Sequence, residues 1–204
     1  MRRIFLPAIL FTFLLSAACS EKVSAPIPGP ASFSWGQASD KTISNLSATG
    51  WMLESEEGAV VTLSYPVSQD PELEESALFQ DAEKPEEPYT VRLYSNEGKL
   101  SIVRIQRRDT TENVDAFMKV IKELYDLESP AIDKPGNDEK TETGNVIRSS
   151  EQIFENQQYV VRLNRTSVTA TEERMKGGLN DQVELQIYAK AENTGISAAA
   201  LDKE

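Results

Sequence analysis

The chain has 204 residues, and its 33 Asp and Glu outnumber its 21 Lys and Arg, for a formal net charge of −12. This balance argues against nucleic acid as a partner and against polybasic attachment to anionic lipid, because both need clustered basic residues. The sequence contains no histidine and one cysteine. Histidine-dependent nucleophilic and zinc sites are therefore excluded, and so are disulfides within the chain.

The first eighteen residues have the order of a secretory leader. Arg2 and Arg3 precede an uncharged apolar run over 4–15, and three small residues follow it. The run is shorter than the ~20 residues that a membrane-spanning helix needs. We therefore expect residues 1–18 to be a signal peptide that is removed on export.

Cys19, the only cysteine, comes directly after the small residues. The stretch Leu15-Ser16-Ala17-Ala18-Cys19 resembles the lipobox of bacterial lipoproteins, although Ser16 stands where that family prefers a bulky aliphatic residue. The resemblance implies that the Cys19 sulfur receives a diacylglycerol, that the leader is cleaved, and that the new amine is acylated, for example with palmitate. Two or more acyl chains suffice for stable membrane anchoring.

The resemblance also implies a location in the cell envelope. An aspartate after the lipidated cysteine resembles an inner-membrane retention signal, and this chain has Ser20 there. If the host is Gram-negative, the expectation is an outer-membrane lipoprotein that faces the periplasm. The alternative is an ordinary leader cleaved at the same bond, since Ser16 and Ala18 also satisfy the small-x-small rule. That alternative would leave Cys19 as a free thiol.

Three regions are predicted after the leader. Residues 19–34 contain three prolines among small and polar residues, which is typical of an extended tether. Residues 35–195 are expected to form a single domain, with periodic structure from about residue 48. The stretches 51–55 and 59–65 predict a first hairpin. The acidic segment 67–88 is expected to be a long loop, and residues 196–204 a flexible tail.

A second hairpin is predicted over 89–107, where Tyr89, Val91 and Leu93 alternate with polar residues. A two-residue loop would pair Val91 with Arg104. A three-residue loop over 96–98 pairs Val91 with Val103, which keeps apolar residues together, so we favour it.

An amphipathic helix is predicted after this hairpin. The residues 109–112 match a capping box, and the chain reaches Pro130 shortly after the helical pattern stops near Leu127. The apolar positions recur at helical spacing and predict packing against a sheet: Val114, Phe117, Met118, Ile121, Leu124 and Tyr125.

The remaining chain predicts a polar loop over 128–145 and a third hairpin, from 159 to about 171 and from 182 to 191. The expected fold class is α+β, with an antiparallel sheet from three hairpins in the order ββ-ββα-ββ and one amphipathic helix packed on one face.

No catalytic or metal-binding motif is present, so we expect no enzyme activity and no cofactor. Most carboxylates lie in the predicted loops 67–88 and 128–145, where solvated charge is the simplest interpretation. The spacing of acidic residues over 133–142 does not match an EF-hand calcium loop. Two alternatives stay open: a glycan hydrolase that uses only carboxylates, and a carrier of a small apolar ligand.

The favoured interpretation is a membrane-anchored binding or assembly module that contacts an envelope protein. The preferred register places a mixed apolar and arginine patch on the sheet face opposite the helix, with Arg162 and Tyr188 as a possible extension. Aromatic and arginine residues are favoured at interfaces. The candidate partner-binding residues are Arg92, Tyr94, Leu100, Ile102 and Arg104. The competing expectation is that residues 35–65 cover this patch.

Overall fold

A computed structural model describes residues 27–65, 89–109, 111–141, 144–169 and 181–203. Within them the protein is mostly β, with one open, eight-stranded antiparallel sheet and a few short helices. The strands are β1 Met52–Glu57, β2 Val60–Ser64, β3 Tyr89–Asn96, β4 Lys99–Asp109, β5 Ile132–Lys140, β6 Val146–Glu155, β7 Tyr159–Thr169 and β8 Asp181–Ala189. The helices are a 3-10 turn Pro30–Ser32, α1 Ser39–Ser47, α2 Thr111–Leu124 and α3 Ala198–Leu201. The predicted leader, Cys19 and the whole of the predicted loop 67–88 lie outside the described residues.

The sheet consists of two four-stranded meanders joined at their last strands. The strand order is β1-β2-β3-β4-β8-β7-β6-β5, so β4 pairs with β8 and the first strand of each half lies at an edge. In the described residues, α1 precedes the first meander and α2 precedes the second. Consecutive strands within each meander are antiparallel neighbours.

The three predicted hairpins are present as β1–β2, β3–β4 and β7–β8. A fourth hairpin, β5–β6, was missed, and residues 132–140 of the predicted polar loop form β5. The reason is physical: β5 is an edge strand without a buried residue, so its sequence lacks the alternation of apolar and polar residues that identifies half-buried strands. β7 also runs unbroken through Asn164.

The main core lies on one face of the sheet, which we call the helix face. Strand residues of alternating position, such as Val91, Ile105 and Leu185, are fully buried there. The helices that cover them contribute Leu46 from α1 and Phe117 from α2. The expected packing of an amphipathic helix on one face is therefore confirmed, and α1, which was not predicted, adds a second helix to that face.

The buried face of α2 includes fewer apolar residues than its sequence pattern predicts. Val114, Phe117 and Ile121 are buried, whereas Leu124 is 42% exposed. The helix stops because Asp126 has a positive φ of 53° and the Leu127 amide donates to the Lys122 carbonyl at 2.9 Å. This left-handed residue and its hydrogen bond resemble a Schellman ending.

The predicted register of the β3–β4 hairpin is wrong. Val91 lies opposite Ile105, and Asn96 lies opposite Lys99 across a two-residue Glu97-Gly98 turn. Both turn residues have positive φ, as a type I′ turn requires. One extra residue on β4, at Ser101, then shifts the pairing so that apolar residues still meet. Neither the two-residue nor the three-residue loop gives this register when the strands are paired without a bulge.

The bulge at Ser101 changes the side of the sheet to which Leu100 belongs. Because a one-residue shift moves side chains to the other face, Leu100 lies in the main core with no exposed surface. Its backbone is held by Gly36, whose amide donates to the Leu100 carbonyl, and by Gln37, whose carbonyl accepts from the Leu100 amide. Asn193 donates to the Ser101 carbonyl at 2.8 Å.

Parts of the predicted tether and of the predicted tail pack on the domain. In the first, Phe33 is buried and the Pro28 carbonyl accepts a hydrogen bond from the buried Tyr125 hydroxyl at 3.0 Å. In the second, α3 buries Ala198 and Leu201. The predictions of an extended tether and of a flexible tail were wrong over these residues. Each segment is mostly small and polar, but each contains a few apolar residues that are buried, and average composition does not reveal them.

An aromatic group fills the core where β3, α2 and the start of β1 meet. The Tyr89 ring lies 4.9 Å from Trp51 and 5.8 Å from Phe117, centroid to centroid. Burial raises the pKa of Tyr89, while the nearby Arg107 guanidinium opposes that rise. Within the described residues, the buried Tyr89 hydroxyl has no hydrogen-bond partner.

We predict that Leu100→Ala lowers the free energy of unfolding by about 2–5 kcal/mol, as for other fully buried leucines. The control is Ile102→Ala, two residues away on the opposite face and only half-buried, and it should cost less than half as much. Urea unfolding of both variants measures the difference. Equal losses would show that Leu100 is not a core residue.

Tyr89→Phe should leave stability at pH 7 unchanged or slightly higher, because it removes a buried hydroxyl that lacks a partner. Since burial raises the folded-state pKa above the ordinary 10.0, the stability that this phenol contributes is complete below pH 10 and is lost as pH rises above it. The variant should therefore lose less stability between pH 10 and 12.

Tyr125→Phe is the matched comparison. Burial also raises the pKa of Tyr125, but its hydroxyl bonds to Pro28, so this variant should lose about 1 kcal/mol at pH 7. Chemical denaturation at each pH gives both quantities. A similar loss in Tyr89→Phe at pH 7 would contradict the absence of a partner.

Candidate functional site

Four of the five predicted patch residues lie together on the sheet face opposite α1 and α2, which we call the outer face. Tyr94 and Ile102 are directly paired across β3 and β4, and Arg92 is paired with Arg104 one step along the strands. All four side chains are half-buried. The sequence predicted this grouping correctly although its register was wrong, because the predicted and observed registers differ by two residues, which leaves each side chain on the same face.

Leu100 does not belong to the patch, since the Ser101 bulge turns it into the core. Of the two possible extensions, Tyr188 lies beside Ile102 across the β4–β8 ladder. Arg162 instead faces the C-terminal helix, where it donates to the Leu201 carbonyl and lies 3.2 Å from the Glu151 carboxylate. Arg162 thus holds α3 in place, and the patch ends at Tyr188.

The middle of the patch is a connected polar network. The Arg104 guanidinium lies 5.6 Å from the centre of the Tyr94 ring, and its Nε lies 3.5 Å from the Glu184 carboxylate. Glu184 accepts from the Gln186 amide at 2.8 Å, and Gln186 accepts from the Tyr188 hydroxyl at 2.9 Å. The two hydrogen bonds restrict the rotamers of Glu184, Gln186 and Tyr188.

The outer face is covered unevenly. Over β6 and β7, α3 packs Ala198 and Leu201 against Ile153 and Val160 in a second small core. Over β2, β3 and β4, none of the described helices packs on this face. The competing expectation that residues 35–65 cover the patch is wrong: α1 packs on the helix face, and residues 60–64 form a neighbouring strand in the same sheet.

The patch consists of four side chains, two of them cationic. It combines two arginines and a tyrosine, which are residue types that protein interfaces favour, with an isoleucine. Within the described residues, no group of three or more metal-ligating side chains comes together. A groove of about 230 Å³ lies elsewhere, between the α2–β5 connection and the β6–β7 turn, and it is lined by Asp126, Leu127, Glu128, Ser129, Phe154, Glu155 and Asn156. This volume is below the range typical of small-molecule sites.

The sequence analysis did not include the β8 residues Glu184 and Gln186 in the patch. They alternate with the buried Val183, Leu185 and Ile187, so the pattern already placed them on the outer face. The missing information was the neighbour of β8. Only the β4–β8 pairing brings Glu184 beside Arg104, and that contact joins residues eighty positions apart.

Comparisons with known proteins add no family to this description: no family model, no curated protein and no solved structure matches the chain. In the described part of the chain, no helix is long and apolar enough to cross a membrane.

Proposed function

We propose that this chain is a lipid-anchored protein of the bacterial envelope that binds another envelope protein through the patch on its outer face. The observation that carries the proposal is the uneven covering of that face. A terminal helix packs over β6 and β7, while the half-buried side chains of Arg92, Tyr94, Ile102 and Arg104 have no described helix over them.

The chemistry of the patch supports a protein partner. Tyrosine and arginine supply large contact areas with hydrogen-bonding ends, and isoleucine supplies an apolar centre. Arg92 makes no ion pair among the described residues, so it is available for an acidic group on a partner. Arg104 lies within ion-pair distance of Glu184, although its Nε forms no hydrogen bond within the described residues.

The route of the chain at its N-terminal side is compatible with the anchor. Ile27 packs against the main core, and Pro28 is bonded to Tyr125 at the end of α2. Ile27 is eight positions after Cys19, so a lipidated Cys19 would hold the domain within roughly 28 Å of the bilayer. Pro28 is buried and bonded to Tyr125 at the end of α2, whereas the patch lies on the opposite face of the sheet.

We predict that a photo-crosslinking amino acid at Tyr94 captures a discrete protein in the native envelope. The matched control is the same amino acid at Leu124, an exposed apolar position on the helix face, which should not capture that protein. Tyr94→Ala with Ile102→Ser should reduce binding of the captured protein by about ten-fold or more, since interface anchors each contribute more than about 1 kcal/mol.

Thermal unfolding distinguishes a binding effect from a folding effect. Both side chains of this double variant are half-buried on the outer face, so its melting temperature should change by only a few degrees. A variant that unfolds, or that binds as the parent does, would contradict the proposal. Leu100 is unsuitable as a second position, because its replacement would damage the core.

A second prediction concerns Cys19. Mass spectrometry of the full chain from its native host should show a mature N-terminus at Cys19 with diacylglycerol on sulfur and an acyl group on the amine. Cys19→Ser should abolish these masses and release the protein from membranes, because the anchor depends on more than one acyl chain. A bare thiol at Cys19, or a retained leader, would refute lipid anchoring.

A further inference from the structure

The two edges of the sheet differ in how well they resist pairing with another strand. An edge strand presents unpaired N–H and C=O groups, and proteins commonly block such edges with proline, lysine or bulges. Within the described residues, β1 and β5 each pair on one side only. The two strands have to be compared residue by residue to see which edge is open.

The β5 edge carries all three blocking features. Pro135 removes a backbone donor, and the register is interrupted between Lys134 and Asn137, where Pro135 and Gly136 have no partners. Lys134 is tied by ion pairs to Glu151 at 2.8 Å and to Asp202 at 2.7 Å. A further strand therefore cannot add along β5 without losing hydrogen bonds.

The β1 edge has neither proline nor lysine, and it exposes apolar surface. Met52 is 46% exposed and Leu53 is 50% exposed, the largest values among the exposed large hydrophobic side chains of the described residues. One bulge at Glu54 divides the strand, so the regular pairing runs are Met52–Leu53 and Ser55–Glu57. An incoming strand would cover both apolar side chains and satisfy the free peptide groups.

The charge of β1 indicates what kind of strand can add. Its charged residues are Glu54, Glu56 and Glu57, with no basic residue among them. The carboxylate of Glu54 accepts a hydrogen bond from Ser64, whereas Glu56 and Glu57 form no ion pair within the described residues. A second copy of β1 would bring six glutamates together, and like charges on neighbouring strands are destabilising. A strand with basic residues is the complementary partner.

We propose that the β1 edge binds an extended segment of another protein by strand addition. Every ladder of this sheet is antiparallel, so the segment is expected to run antiparallel to β1 as well. Read from its N-terminus, it would carry two basic residues opposite Glu57 and Glu56. A short polar spacer and two β-branched apolar residues would then lie opposite Leu53 and Met52. The edge and the patch are different surfaces, so each proposal can fail alone.

The test uses the full chain and a synthetic peptide that contains Lys-Arg-Thr-Ser-Val-Val. Two control peptides separate the contributions: Glu-Glu-Thr-Ser-Val-Val reverses the charge, and Lys-Arg-Pro-Ser-Pro-Val keeps the charge but lacks the N–H groups of two alternate residues and fits poorly in a strand. The first peptide should bind, measured by fluorescence anisotropy, and should slow amide exchange in residues 52–57. Both controls should bind at least about ten-fold more weakly, which corresponds to ~1.4 kcal/mol.

Matched protein variants locate the binding. Glu56→Lys with Glu57→Lys should weaken the first peptide by about ten-fold or more. Glu139→Lys, an exposed residue on the opposite edge strand, should change its affinity by less than about two-fold, since exposed charges at a distance are screened by salt. Tyr94→Ala with Ile102→Ser should leave peptide binding unchanged, so failure of the edge and failure of the patch are distinguishable.

Three results would overturn the inference. The first is equal binding of the proline-containing peptide, because attraction of charge alone would then explain it. The second is protection that appears outside β1. The third is exchange in free β1 that is already as slow as in β4, which would mean that the chain itself or a second copy occupies this edge.

Discussion

The pairing of β4 with β8 is the interaction on which the rest of the architecture depends. Eight residue pairs, from Ile102–Tyr188 to Asp109–Asp181, join two meanders that otherwise have separate strand neighbours. The joint places Val103 against Ile187 and Ile105 against Leu185, all fully buried. α2 contacts both strands of the joint, so the helix covers the row of apolar residues that neither meander could bury alone. At one end of the joint, the buried Asp181 is paired with Arg165 and bonded to Thr111, which ties β7 and the start of α2 to the same place.

The same joint creates the outer-face patch. Tyr94 and Arg104 belong to the first meander, whereas Glu184 and Gln186 belong to the second, and the network between them exists only because β4 and β8 are neighbours. The second meander also supplies α3, which covers its own side of the outer face and stops short of β3. Rows of side chains across the sheet continue from Tyr188 and Ile102 through Tyr94 to Val60 and then to Glu57 on β1. The patch and β1 therefore share rows of the sheet and are separated by β2, but the patch is made of outer-face side chains, whereas the edge of β1 presents its backbone.

Local patterns were sufficient where burial alternates along a strand or repeats at helical spacing. Val91, Phe117 and Leu185 each belong to such a pattern, and the elements that contain them were predicted with nearly correct limits. The patterns failed where an element is exposed or short. β5 has no buried residue, and α1 and α3 are held by a few anchors such as Leu46 and Leu201, so each depends on a surface that is distant in sequence.

The sequence by itself determined the acidic charge, the absence of histidine chemistry, the expectation of a lipidated Cys19, the three hairpins and the helix that follows the second of them. These follow from composition, from one short motif and from periodicity, which are local properties of the chain. Only the tertiary structure decided the strand order, the face of the sheet on which Leu100 lies and the residues that Arg104 contacts. The Ser101 bulge is held by Gly36, Gln37 and Asn193, and Arg104 meets Glu184 across the joint. Contacts over such separations arise from packing of the whole sheet, and no local pattern encodes them.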